Sequence, residues 1–286
     1  MYKQYSFWHG SCITEGVDTK PNIICQLNVR EAVMRKLVSI VTAVVTVMIC
    51  QAHATPSTQI WIPSTDIQAY LNPHWGFDDY IGAYNAGNAL PSNGNVYNAG
   101  VTVGVLPPKA VVGLEVGIDY RDNSGNHADP VLFNAKLGLS EDAFFKNMPA
   151  IAIGGFDFGT KDSATNFDVT YGLIAKNIWK LGRFSVGGYK GWGPDILWTS
   201  SSGKVENGGV LASWDRTMNE ISSKLWFGVD FMSGNNGYGA VSFGASWNFT
   251  PTVSTILGYD IWNDKDLGGP GLYKPTFTVQ IDINTF

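Results

Sequence analysis

The stretch VSFGASWNFTPTVSTILGYDIW, residues 241–262, decides the fold. Val241, Phe243, Ala245, Trp247 and Phe249 alternate with Ser242, Gly244, Ser246 and Asn248. After Thr250-Pro251-Thr252 the alternation resumes at Val253, Thr255, Leu257, Tyr259 and Ile261. A period of two puts apolar side chains on one face of a strand and polar ones on the other. Further on, Phe277, Val279, Ile281 and Ile283 alternate with Thr276, Thr278, Gln280, Asp282 and Asn284. The polar side is rich in Gly, Ser, Thr and Asn and carries Asp230, Asp260 and Asp282 in corresponding strands, so it is wet or densely hydrogen-bonded. The aromatic residues lie on the apolar side.

Working outward from that hairpin, the same pattern recurs between turn signals. It predicts strands at 75–86, 96–106, 111–121, 130–139, 150–159, 167–177, 182–193, 209–217, 221–232, 237–249, 252–263 and 275–286. Short connections at 107–109, 178–181, around Asn219 and at 250–252 alternate with longer polar loops at 87–95, 122–129, 160–166, 194–208 and 264–274. The long turn Ser140 to Pro149, with Phe144-Phe145, and the short connection 233–237 depart from that alternation. Trp214, Met218, Ile221 and Leu225 also have helical spacing, so 211–227 has a second reading as an amphipathic helix, which would leave ten strands.

Long meandering strands with one aromatic-rich face, in a chain ending in Phe286, resemble a bacterial outer-membrane β-barrel over roughly 75–286. The resemblance is architectural and points to no narrower family. It implies an all-β fold: a transmembrane antiparallel up-and-down barrel of about twelve strands, with short periplasmic turns and long outer loops. Phe277 to Ile283 run out of phase with Phe286, a departure from the usual terminal pattern.

The start of the chain fits export. Met34-Arg35-Lys36, an apolar run from Leu37 to Ile49 and Gln51-Ala52-His53-Ala54 follow the order of a secretory signal. Residues 1–33 read as an upstream over-extension, 34–54 as the signal peptide cleaved near Ala54, 55–74 as a periplasmic lead-in, and 75–286 as the barrel. The lead-in has a second possible course, folded into the lumen. Cys12, Cys25 and Cys50 all precede Thr55, which leaves no disulfide framework and no cysteine metal site after it. Of the 19 Lys and Arg and 24 Asp and Glu, five and three precede Thr55. The remaining 14 basic and 21 acidic residues give a net charge of about −7, against nucleic-acid binding.

Alternation assigns the lumen. Outward fall Val112, Leu114, Val116, Ile118 and Tyr120, with Val131, Phe133 and Leu137, Phe167, Val169, Tyr171 and Leu173, and Leu225, Phe227, Val229 and Phe231. Inward fall Glu115, Asp119, Arg121, Lys136, Asp157, Asp168, Lys176, Arg183, Lys190, Asp215, Lys224, Asp230, Asp260 and Asp282, eight acidic and six basic groups in near balance. A lipid-facing Arg or Lys costs about 2–4 kcal/mol at mid-bilayer, so confining charge to one parity is what lipid demands. Gly154-Gly155 and Gly187-Gly188 break the parity and mark expected bulges or bends.

These features imply a small passive channel or porin for small polar solutes, with the inward charges as lining. The alternative is a closed structural or interaction barrel with a salt-bridged lumen, and an outer-membrane enzyme ranks last. After Thr55 the histidines are His74 and His127, and neither has a serine two residues away on its face, so no catalytic residue is assigned. Asp122-x-Ser124-x-Asn126 lacks the remaining calcium-loop positions, and Asn263-Asp264-Lys265-Asp266 is a similarly bare loop, so no metal or cofactor is assigned. Trp75, Tyr80, Trp179, Trp214, Trp247 and Tyr273 fit an interfacial girdle, whereas Trp192, Trp198 and Trp262 near the outer loops are candidates for stacking on a sugar. Outer-membrane lipid is the partner the barrel implies; oligomeric state is not legible.

Overall fold

The computed structural model describes residues 57–82, 96–123, 131–271 and 273–286; the segment 34–54, expected to be an export signal, and the loop holding His127 lie outside them. Twelve strands follow one another: β1 His74–Gly82, β2 Val96–Gly104, β3 Val112–Asn123, β4 Val131–Leu139, β5 Ala150–Gly159, β6 Val169–Ile178, β7 Gly182–Gly191, β8 Gly208–Thr217, β9 Leu225–Met232, β10 Ala240–Thr250, β11 Val253–Trp262 and β12 Thr276–Asn284. Each pairs antiparallel with its sequence neighbours, and β1 pairs with β12 from His74↔Asn284 to Gly82↔Thr276, closing the barrel. Closure removes the sheet edge, whose backbone groups would find no partner in hydrocarbon.

The 211–227 stretch is strand, turn and strand, with Leu211↔Met232 to Thr217↔Trp226 paired between β8 and β9. The ladder wins because it lets Ser213, Asp215 and Asp230 share the interior, where all three are buried. Outside, Ile118, Phe133, Val186, Val229, Phe243 and Leu257 are each more than a third exposed. A continuous apolar girdle of this kind is what lipid solvates. At the turn end Phe144, Phe145 and Trp179 project strongly, and Lys180 Nζ sits 4.9 Å above the Trp179 ring, an arrangement suited to headgroup level.

One strand has its sides reversed relative to expectation. Val169, Tyr171 and Leu173 in β6 face inward and are almost fully buried, while Ile174 is exposed. Phe167, expected outward, packs against buried Trp198 and Tyr238. β6 is apolar on both parities, so alternation alone has no phase to lock onto, and interior packing sets it. The two glycine pairs also differ. Through Gly187-Gly188 the register runs unbroken on both sides. Beside Gly154-Gly155 it shifts: Phe133 pairs Phe158 but Ala135 pairs Gly155, inserting one extra residue in β5. That bulge turns Phe156 and Asp157 to the interior together, with Asp157 in the left-handed region at φ 54°.

The segment expected as a lead-in runs within the wall. Thr58 bridges Pro63, Gln59 N–H donates to Ile62 O, and Ser64 N–H donates to Ser57 O, so residues 57–64 form a narrow hairpin. Its tip meets the barrel's loop end, and the chain then returns past Ile67 to Tyr70, which bridges Gly104, before entering β1. We call this segment the insert.

Candidate functional site

Asp230 Oδ2 accepts the backbone N–H groups of Ile60, Trp61 and Ile62 at 2.9, 2.8 and 3.3 Å. Three successive amides on one carboxylate oxygen fix the tip of the insert across the lumen. Around it Ile62 packs with Val169, Tyr171, Leu173, Leu211 and Met232 in one buried apolar cluster. Gln280 Nε2 donates to Ile60 O at 2.8 Å from β12, three strands round the wall from β9. Lower down, Gln59 Nε2 donates to Asp215 at 3.0 Å, and Arg183 bridges Asp215 on the wall to Asp66 on the insert at 2.8 and 2.7 Å. At the foot, Glu115 accepts the N–H groups of Ser57 and Gln68 and pairs with Lys136 at 3.0 Å.

The expected lining residues thus divide. Glu115, Asp119, Arg121, Lys136, Asp157, Arg183, Asp215, Asp230, Asp260 and Asp282 face the interior, all buried except Arg121, which is partly exposed. Four stand elsewhere. Lys176 shares the outward parity of Ile174 and pairs with Glu141 of the long turn at 3.0 Å. Lys190 is exposed on the outward side of β7 and reaches Asn207 in the adjoining loop. Lys224 is exposed in the turn before β9, and Asp168 lies in the loop before β6. Each sits beyond a strand end or on a reversed parity, where its charge reaches water or a partner without crossing lipid.

Removing three lysines corrects the expected charge balance. Among the described residues the interior holds Asp66, Asp78, Glu115, Asp119, Asp157, Asp215, Asp230, Asp260 and Asp282 against Arg121, Lys136 and Arg183. His74 is the other titratable base there, buried with Nε2 3.5 Å from Asp282. The lumen is acidic. Ser254 donates to the same Asp282 at 3.2 Å, so serine and histidine both address the carboxylate, not each other, which is not the order a nucleophile and its base require.

Above the insert, at the loop end, opens a cavity of about 390 Å³. Its floor is Trp61 from the insert with Asp78, Asn98, Asp119, Arg121 and Asp157 from the wall. Its sides are Tyr80, Phe156, Phe167, Tyr238, Trp262 and Tyr273. Arg121 holds Asp157 through two hydrogen bonds, 2.6 and 2.9 Å, and Tyr238 hydroxyl donates to the same carboxylate. Asn98 Nδ2 spans Asp78 and Asp119 at 3.2 and 3.4 Å, and Asn134 donates to Asp119 at 2.7 Å. The loop phenols are neutral at ordinary pH: burial, then Asp157, pushes Tyr238 up, and burial pushes Tyr273 up to about 12.

The aromatic residues change roles accordingly. Tyr80 and Tyr273, expected at the lipid interface, line this vestibule, as does Trp262, which meets Trp61 and Tyr273 edge-on at 5.1 Å each. Trp198 is fully buried and stacks behind Tyr238 at 5.4 Å, so it buttresses the wall and cannot touch a solute. A Cβ at Gly191 would lie 2.0 Å from the Trp198 ring, which is why glycine stands there. Trp192 stays exposed, its Nε1 donating to Thr170 at 2.8 Å. No sequence signal marked Asp78 or Trp61: one sits beside a second aspartate of the other parity, the other in an aperiodic segment. In the loop 263–275, Asp264 accepts Ser201 and Asp266 N–H groups, so both its oxygens are occupied within the fold.

The fold is that of an outer-membrane β-barrel, here with its lumen occupied by its own N-terminal segment. No protein-family model and no curated relative matches the chain. Among solved structures it is similar to the calcium-bound outer membrane phospholipase dimer of Salmonella typhi, at 12% identity over 74% of this chain and 91% of that one, TM-score 0.43. An outer membrane protein of Acinetobacter baumannii shares 11% identity over 76% and 99%, TM-score 0.38. Pseudomonas putida OprB shares 10% over 74% and 92%, TM-score 0.31. At these levels the similarity says nothing of what the lumen or vestibule binds.

Proposed function

We propose that the protein is a bacterial outer-membrane barrel that is closed at rest by its insert and takes a small polar solute into the outer vestibule. The observation that carries this reading is the grip of Asp230 on three consecutive amides of the insert tip, directly beneath the cavity. Contacts at two further heights, the Arg183–Asp66 ion pair and the hydrogen bonds of Lys136 to the Ser57 and Ser64 carbonyls, hold the insert's two legs. A freely conducting pore is the competing function, and it requires the insert to leave. The segment 34–54 supplies export, and lipid solvates the outer girdle.

The test is single-channel conductance in a planar bilayer, comparing the wild-type chain with a deletion of residues 57–66. Heat-modifiable gel migration establishes that both are folded. The closed reading expects rare or absent steps from the wild type and steady steps from the deletion. Steady conductance from the wild type would overturn it.

A further inference from the structure

We infer that the vestibule's ligand is a small organic cation, an amine or quaternary ammonium, with Asp78 as its counter-ion. This rests on the vestibule reading above and names its substrate class. Asp78 is more than nine-tenths buried and lines the cavity, and its Oδ1, itself sealed from solvent, has no hydrogen-bond partner among the described residues. Its other oxygen accepts from Asn98. A buried carboxylate oxygen left unpaired is costly unless a donor or a positive charge meets it.

Several donors around the cavity are already engaged. Arg121 gives two N–H groups to Asp157, Asn98 gives its amide to the two aspartates, and Tyr238 gives its hydroxyl to Asp157. Trp61 donates to Tyr238 O at 2.8 Å and Tyr273 to Gly237 O at 3.1 Å. The cavity wall therefore combines aromatic faces with three carboxylates, Asp78, Asp119 and Asp157, against the one guanidinium of Arg121. That combination suits an ammonium group, whose N–H or N–CH₃ edges favour both carboxylate and π-face. A bare metal ion is disfavoured: among the described residues no group of three acidic, His or Cys side chains is placed to hold one. The volume lies within the range of about 300–1,000 Å³ typical of small-molecule sites.

The experiment is tryptophan fluorescence of the folded full chain in detergent, titrated with choline, with glucose and with sodium chloride at matched ionic strength. Trp61 and Trp262 are the reporters in the cavity. The expected result is a saturable change with choline only, its midpoint raised tenfold or more in Asp78→Asn. Trp262→Leu, outside the carboxylate network, gives a second variant with weakened choline binding should Asp78→Asn fail to fold. Choline saturation untouched by either variant would overturn the assignment to this site. Saturation by glucose but not choline would overturn the cation and leave the solute-binding vestibule standing. No response to either would overturn both, while closure of the lumen is judged separately by conductance.

Discussion

Lys136 Nζ lies 3.0 Å from Glu115 Oε1 at the foot of the insert, with both side chains wholly sealed from solvent. Glu115 also takes the Ser57 hydroxyl and two backbone amides, and Lys136 donates to the carbonyls of Ser57 and Ser64. Breaking a buried pair from one side strands a charge, at about 3–5 kcal/mol, whereas replacing both partners costs far less. Lys136→Met alone should therefore lower unfolding stability in detergent by about that amount. Lys136→Met with Glu115→Leu should cost less than the two single losses added together, recovering the stranded-charge part but not the backbone hydrogen bonds both side chains make. A double-variant loss equal to the sum of the two single-variant losses would show that the pair is not coupled.

Asp230→Leu removes the acceptor of three amides at once. Hydrogen bonds to a charged group contribute about 1.5–3 kcal/mol each, so the seated insert should lose at least tenfold in population. Single-channel recordings should show bursts of opening absent from the wild type. An unchanged record would mean that the remaining contacts suffice.

Ile67 occupies space that glycines on two strands leave open. A Cβ at Gly113 would lie 2.7 Å from its Cγ2, and one at Gly138 2.6 Å from its Cγ1. Gly138→Val should push the insert's returning leg off the wall and expose residues 64–69 to protease. Adding Ile67→Ala should restore protection. Failure of that rescue would place the effect of Gly138→Val elsewhere.

Asp264 joins two outer loops through Ser201. Burial pushes its carboxyl up, but the amides of Ser201 and Asp266 outweigh that and hold it below its ordinary 3.8. A lowered folded value means the tie is complete above the unfolded value and is lost as pH falls through the folded one. Protease cutting within 199–205 should stay slow down to about pH 4 and rise only below it. Asp264→Ala should cut readily at pH 7 with little further change on acidification.

The wall was legible because lipid outside and polar groups inside impose strict alternation, which β11 and β12 obey without a break and β10 obeys up to its irregularity at Asn248–Thr250. β6 did not yield its phase, since Val169-Thr170-Tyr171-Gly172-Leu173-Ile174 offers apolar groups to both sides. The insert was the deeper obstacle. Ser57 to Asn72 has no period, and its structure comes from partners as remote as Asp230 and Gln280. The vestibule inherits that difficulty: Trp61 belongs to the insert, and the β5 bulge that brings Phe156 and Asp157 to one side is invisible to a count of two.

Closure around the insert also sets a timetable for assembly. Ile60 is bound by groups 170 and 220 residues further along the chain, and Gln68 by one 216 residues away. Such bonds cannot form until nearly every strand is in place, and ordering so long a chain segment first makes them late and slow. The earliest of the described residues are thus the last to find their partners. Protection of residues 57–68 during refolding consequently serves as a clock for completion of the β1–β12 seam.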